Sequence, residues 1–190
     1  MESDGLSPDR YSRVIQQLRQ IRADLILLTE KYVETHGFNN MNFDPPGGSA
    51  TMGSGSWAEM ATEERLLANI SAYMVLEKQL MQVIAEQGES LLEEESDLHE
   101  GLRGMLMKVS ALRAQLEHLG GTMGLKECAG DTDEVDRPSG SVFEMKVRGY
   151  HLLNELSVWA VRSLRDLRKL QREREKLVSQ AEASAESSEL

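Results

Sequence analysis

The chain is an all-α protein, a long-chain four-helix bundle in up-up-down-down order with two long crossover loops, and three observations predict it. Leu98, Leu102, Met105, Val109, Leu112, Leu116 and Leu119 recur in alternating steps of four and three, the spacing that keeps one stripe of a helix against a bundle core. Leu, Glu, Ala, Arg, Met and Gln dominate a sequence with only 15 glycines and 4 prolines in 190 residues, so helix is favoured throughout, and Val and Ile never form the alternating run a strand needs. The connections between the four helical stretches run long, short, long.

The first helix is expected over residues 8–36. Ser7 suits the N-cap and Pro8 the first helical position. Val14, Leu18, Ile21, Leu25, Leu28 and Tyr32 mark its buried stripe, and Gly37 is a C-terminal stop. A loop rich in Gly, Ser, Asn and Pro follows over about 38–60, centred on Pro45-Pro46-Gly47-Gly48. The second helix spans 62–87, with Leu66, Ile70, Tyr73 or Met74, Leu80 and Ile84 inward and Gly88 at its end. The third spans 96–119, capped by Ser96 or Asp97 and stopped by Gly120-Gly121. After a second long loop, about 121–140, the fourth helix spans 142–171. Ser141 and Glu144, three residues apart, form a capping box before it. Its inward stripe is Val142, Leu153, Leu156, Ala160, Leu164 and Leu167. Residues 1–171 thus make one domain. Residues 172–190 extend the helix to about Val178 and end in a disordered tail, SQAEASAESSEL.

Loop length sets the topology. A helix of about 26 residues is roughly 40 Å long, and returning along it takes about a dozen or more extended residues. The first and third connections are long enough and the second is not. The first two helices are therefore parallel to each other, the last two likewise, and the first runs antiparallel to the fourth.

Composition narrows the function. A formal net charge of −11 argues against nucleic acid as a partner. Cys128 is the one cysteine, so no internal disulfide forms. The polar start MESDGLSPDRYS has no apolar core of a signal peptide, and no apolar run spans a membrane. The expectation is a cytoplasmic protein, released extracellularly by a route needing no signal peptide. There is no glycine-rich phosphate loop, nucleophile elbow or paired-carboxylate cleft, so neither enzyme nor cofactor is expected. His36, His99, His118 and His151 lack metal-ligand spacing and read as surface or half-buried residues. The sequon Asn69-Ile70-Ser71 falls inside a helix and reads as unused, and Glu93, Glu94, Glu95 and Asp97 read as a solvated helix start.

Two clusters lie off the inward stripes. The antiparallel first and fourth helices bring Arg10, Arg13, Arg19 and Arg22 beside Arg162, Arg165 and Arg168, a basic patch on an acidic molecule. Phe143 and Lys146, one turn apart, sit at the opposite pole. Each has a plainer explanation. The pair is equally a helix-start aromatic packed on a loop beside a solvated lysine, and the late arginines equally offset the dipole of a helix end. The dipole does not explain arginines early in the first helix. Trp57, at the end of a loop, is either core or exposed; Trp159 reads as core.

QIRADLILLTEKYVETHG, then Trp57 with EERL and Tyr73, then VFEMK and GYHLLNELSVWAVRSLRDLR together make the chain resemble the long-chain helical cytokines of the interleukin-6 group over residues 9–170. The third helix and the two long loops match weakly. The resemblance implies a cytokine or neurotrophic factor that assembles a receptor complex and triggers JAK–STAT signalling. Phe143 and Lys146 match the group's F-x-x-K motif and are implied to bind the leukaemia inhibitory factor receptor. Arg19, Arg22, Trp57, Arg162 and Arg168 are implied to bind a ciliary neurotrophic factor receptor alpha-like subunit. The interleukin-6 receptor beta chain is implied to dock on exposed faces of the first and third helices. The group's free cysteine near the first helix has no counterpart, because Tyr11 occupies that region. The alternative is an intracellular helical-bundle adaptor, and a weak homodimer through the third helix fits either reading.

Overall fold

The computed structural model describes residues 8–38, 54–90, 96–125 and 140–188. They form α1 (Pro8–His36), α2 (Ser54–Glu59), α3 (Thr62–Ser90), α4 (Asp97–Thr122) and α5 (Val142–Ser188). The expected rods are α1, α3, α4 and α5. The six-residue α2 was not foreseen in the first long connection, the centre of which lies outside the described residues, as do Glu93, Glu94, Glu95 and Cys128.

Local chemistry sets three helix ends as anticipated, whereas α3 and α4 run past their expected glycine stops, Gly88 and Gly120-Gly121, to Ser90 and Thr122. The Ser96 side chain accepts from the His99 amide and caps α4. Ser141 and Glu144 form the reciprocal capping box, the Ser141 amide donating to Glu144 Oε2 at 3.1 Å and the Glu144 amide to Ser141 Oγ at 3.3 Å. Gly37 adopts φ +72°, the left-handed conformation that ends α1 at little cost for glycine.

Ion pairs and hydrogen bonds fix the direction of each rod. Gln171 of α5 donates to Ser12 of α1 at 3.2 Å, and Tyr32 at the far end of α1 donates to the Lys146 carbonyl at 2.6 Å. On α4, Lys108 pairs with Asp24 at 2.6 Å and Asp97 with Lys31 at 3.9 Å. Asn69 and Arg148 tie α3 to α5 through Asp166 and Glu86. Glu77 of α3 pairs with Arg113 of α4, while His99 of α4 packs against Gly88 of α3. So α1 and α3 both run antiparallel to α4 and α5, which is the up-up-down-down order.

The core follows the stripes. All six α1 positions and all seven α4 positions named above are buried, each large aliphatic group contributing about 2 kcal/mol of transfer free energy. On α3, Tyr73 is the inward residue and Met74 and Ile84 pack at its margin. Tyr11, Ile15, Leu76, Val83, Leu152 and Leu170 are also buried.

Three expectations are corrected. Val142 is 49% exposed: it is the first residue of α5, ahead of the point where that helix begins to bury its face, at Gly149 and Leu152. His99 is buried rather than superficial, at 7% exposure. The tail is helical as far as Ser188. Ala, Glu, Gln and Lys are strong helix formers, and no glycine or proline follows Gly149 in α5. Ser184, Ser187 and Ser188 donate to carbonyls one turn back.

At Gly149 the backbone of α5 approaches α1 and α3 so closely that an added Cβ would collide with the Tyr32 hydroxyl and stand 2.9 Å from Gln87 Nε2. Gly104 of α4 has nothing within 4 Å of such a Cβ. Urea denaturation should separate the two: Gly149→Ala loses about 1–3 kcal/mol by overpacking, and Gly104→Ala gains about 0.5–1 kcal/mol of helix propensity. Equal shifts in one direction would contradict the close approach.

Candidate functional site

The start of α5 builds one pole. Phe143 is 52% exposed, and its ring and that of Phe38 meet edge to face at a centroid distance of 6.3 Å and an angle of 89°. Phe38 itself is buried against Tyr32 and Tyr150. Phe143 is therefore neither sealed in the core nor loose: an aromatic base holds it with one face to solvent. Lys146 is half-buried one turn later. Its carbonyl accepts from Tyr32, whose hydroxyl accepts in turn from Gln87 Nε2 at 2.7 Å. The Gln87 carbonyl oxygen lies 3.2 Å from His36 Nε2. The ends of α1 and α3 thereby pin the backbone that carries Phe143 and Lys146. Burial pushes the Tyr32 hydroxyl well above the ordinary tyrosine range, which keeps it a neutral donor. Burial lowers His36, and the Lys146 charge adds to that effect against the Gln87 hydrogen bond.

The opposite pole gathers the arginines. A groove of about 590 Å³ is lined by Ser12, Ile15, Gln16 and Arg19 of α1 with Arg168 and Gln171 of α5, so the structure brings Arg19 and Arg168 together. Arg22, one turn after Arg19, is exposed on the same rod, as is Arg165 on α5. The dipole explanation does not hold here. The favourable effect of a cation reaches only the last turn, and α5 continues to Ser188, five turns beyond Arg168.

Arg162 does not share that groove. Its guanidinium lies over the rings of Trp57 and Trp159, 5.6 and 5.4 Å from their centroids, within cation–π range. The two indoles meet edge to face at 5.6 Å. Arg162 Nη1 is buried and makes no hydrogen bond among the described residues. The expected basic patch is thus divided on α5: Arg165 and Arg168 face solvent, and Arg162 turns towards α2. Trp57 and Trp159 are both half-buried.

Under this stack lies a buried polar cluster that sequence reasoning missed. Asp166, 4% exposed, accepts from Trp57 Nε1 at 3.3 Å, Asn69 Nδ2 at 3.0 Å and Arg65 Nη1 at 3.5 Å. Arg65 also donates from Nε to the Met60 carbonyl at 3.2 Å and from Nη2 to the Ala58 carbonyl at 3.0 Å. Asn69 Oδ1 accepts from Ser163 at 2.6 Å, and Tyr73 and Ser163 share a 2.8 Å hydrogen bond. The Asn69 side chain is thereby engaged and inaccessible. The one signal of this cluster in the sequence is polar residues at helical steps beside the apolar stripes, Arg65, Asn69 and Tyr73 on α3 and Ser163 and Asp166 on α5.

On the flank between the poles, Leu27 of α1 and Met107 of α4 are 66% and 74% exposed. Each adjoins a residue that pairs α1 with α4: Asp24 and Lys31 lie one turn either side of Leu27, and Lys108 follows Met107. Among the described residues no group of three or more His, Cys, Asp or Glu could hold a metal ion, and no helix is long and apolar enough to cross a membrane.

The family model described as ciliary neurotrophic factor matches residues 5–187. The chain is 37% identical over 176 residues to the ciliary neurotrophic factor of Oryctolagus cuniculus, covering 88% of this chain and 87% of that protein. With that of Homo sapiens it is 35% identical over 173 residues, covering 88% and 86%. With that of Gallus gallus it is 36% identical over 150 residues, covering 76% and 75%.

The half-buried His36 and His151 make stability depend on pH. His36 and His151 are both lowered by burial, so the unfolded chain binds protons more readily than the folded one. Their contribution is complete above the ordinary histidine value of about 6.5 and is lost as pH falls through the lower folded values. Glu155, raised by burial, acts in the opposite sense, with stability regained as pH falls through its folded value. The urea midpoint should therefore drop as pH falls below about 6.5, and His36→Gln should flatten that slope. A His36→Gln slope equal to that of the parent chain would place the dependence elsewhere.

Proposed function

The chain belongs to the ciliary neurotrophic factor family, and from that premise we propose that it is a helical cytokine that assembles a receptor complex through two poles and one flank, triggering JAK–STAT signalling. Phe143 and Lys146 engage the leukaemia inhibitory factor receptor. Arg19, Arg22, Trp57, Arg162 and Arg168 engage a ciliary neurotrophic factor receptor alpha-like subunit. The interleukin-6 receptor beta chain docks on the flank of α1 and α4, where Leu27 and Met107 are exposed.

The observation that carries this reading is the half-exposed Phe143 ring standing on Phe38 with Lys146 one turn away. Such a pair offers a rigid apolar anchor and a charge that a partner can desolvate, the usual composition of a binding hot spot. At the arginine pole, Arg19 and Arg168 line a groove suited to carboxylates, and Arg162 with its two indoles adds a flat surface of mixed character. Separate chemistry at each end suits bridging between different receptor chains.

The test is the double variant Phe143→Ala/Lys146→Ala. Removing the anchor should cost at least 2 kcal/mol, about thirtyfold in affinity for the leukaemia inhibitory factor receptor ectodomain. Helix content by circular dichroism and binding to the alpha subunit should stay unchanged. Undiminished receptor binding and STAT phosphorylation by that variant would discard the role of the pair, and a parent chain inert on receptor-bearing cells would favour the intracellular adaptor.

A further inference from the structure

We propose that Arg65 and Asp166 are positioning residues for the arginine pole: they set the pose of Trp57 and α2, and so the surface that an alpha receptor subunit reads. The proposal rests on the reading of that pole given above and adds residues that no receptor touches. Both are inside the protein, at 8% and 4% exposure.

Helix α2 carries Trp57. Six residues are far too few to hold a helix on their own, since isolated helices shorter than about 12–15 residues are marginal even with good helix formers. Its carbonyl end is held from outside, by the fork of Arg65 on the Ala58 and Met60 carbonyls. The remaining Arg65 nitrogen, Nη1, turns to Asp166. Asp166 then fixes Trp57 by accepting from its indole nitrogen, while Asn69 donates to the second carboxylate oxygen. With the indole held at one edge by Asp166 and at another by Trp159, Arg162 has a defined surface to lie on. The chain of cause runs from α3 through Asp166 to Trp57 and ends at Arg162.

A buried pair kept only for stability is often replaceable by apolar residues of similar size. This one is placed differently. The three hydrogen bonds of Arg65 go to the carbonyls at and just after the end of α2 and to the carboxylate that holds Trp57. Lysine could neutralise Asp166 as a point charge, but it lacks the planar fork that reaches two carbonyls at once.

The experiment compares Arg65→Lys and Asp166→Asn with the surface variants Arg168→Ala and Arg19→Ala, all in the full chain. Three quantities are read: affinity for the soluble ciliary neurotrophic factor receptor alpha ectodomain, affinity for the leukaemia inhibitory factor receptor ectodomain, and hydrogen exchange at the amides of residues 57–60. Arg65→Lys should weaken alpha-subunit binding about tenfold through lost pre-organisation and speed exchange in α2. Binding at the Phe143 pole should stay within about twofold, since the two sites are separate and their energies independent. If both buried variants bind the alpha subunit like the parent chain while Arg168→Ala is weakened, the positioning role falls and the reading of the pole stands. If Arg168→Ala and Arg19→Ala also bind like the parent, that reading falls. Loss at both poles, with exchange raised throughout α3 and α5, would assign the pair to general stability and overturn the proposal.

Discussion

A carboxylate taken out of water between α3 and α5 constrains much of this structure. Asp166 is almost fully enclosed, and an ionised group so placed costs several kcal/mol unless it is paired and fully hydrogen-bonded. Arg65, Asn69 and Trp57 meet that demand. Each partner brings a consequence. Asn69 and Arg65 lock the register of α3 against α5. Trp57 draws in the end of the first long connection, and the remaining Arg65 donors hold the last turn of α2. A single buried charge thus links rod packing to the shape of one pole.

The other pole is built by the same logic from neutral groups. Tyr32 is buried, and its hydroxyl is satisfied by the Lys146 carbonyl and Gln87. Gly149 leaves the space that this approach needs. Between the poles the core is almost wholly aliphatic, and its stripes hold the rods together without specifying which residue lies opposite which. The polar clusters near each end supply that register. Both also stand directly behind side chains that face solvent, Phe143 with Lys146 at one end and the Arg162 stack at the other.

Much of this was legible in the chain. The α1 and α4 stripes, the Ser141–Glu144 box, the Ser96 cap and the Gly37 stop are local signals, encoded within one or two turns and therefore readable from spacing alone. The antiparallel meeting of α1 and α5 followed from loop lengths set against rod lengths, and with it the meeting of Arg19 and Arg168. The misreadings differ in cause. Arg162 was placed with Arg165 and Arg168 because spacing assigns a residue to a row of its own helix, yet its rotamer is decided by two indoles, one of them from α2. The buried state of Asp166 was invisible because an aspartate among arginines reads as a surface ion pair until the opposing Asn69 and Arg65 are seen. The helical tail was read as disordered because its composition is polar, although its local propensity points the other way.

The linear order of residues by itself determined the helical class, the inward stripes, the caps and the up-up-down-down path, because each depends on periodicity, end chemistry or chain reach. Only the tertiary structure decided which polar groups are enclosed, where α2 is tethered and which arginines face solvent. Those outcomes depend on contacts between residues about a hundred positions apart, as with Trp57, Arg65 and Asn69 against Asp166. The energy of a polar group is set by what surrounds it after packing, and no spacing rule along one helix carries that information.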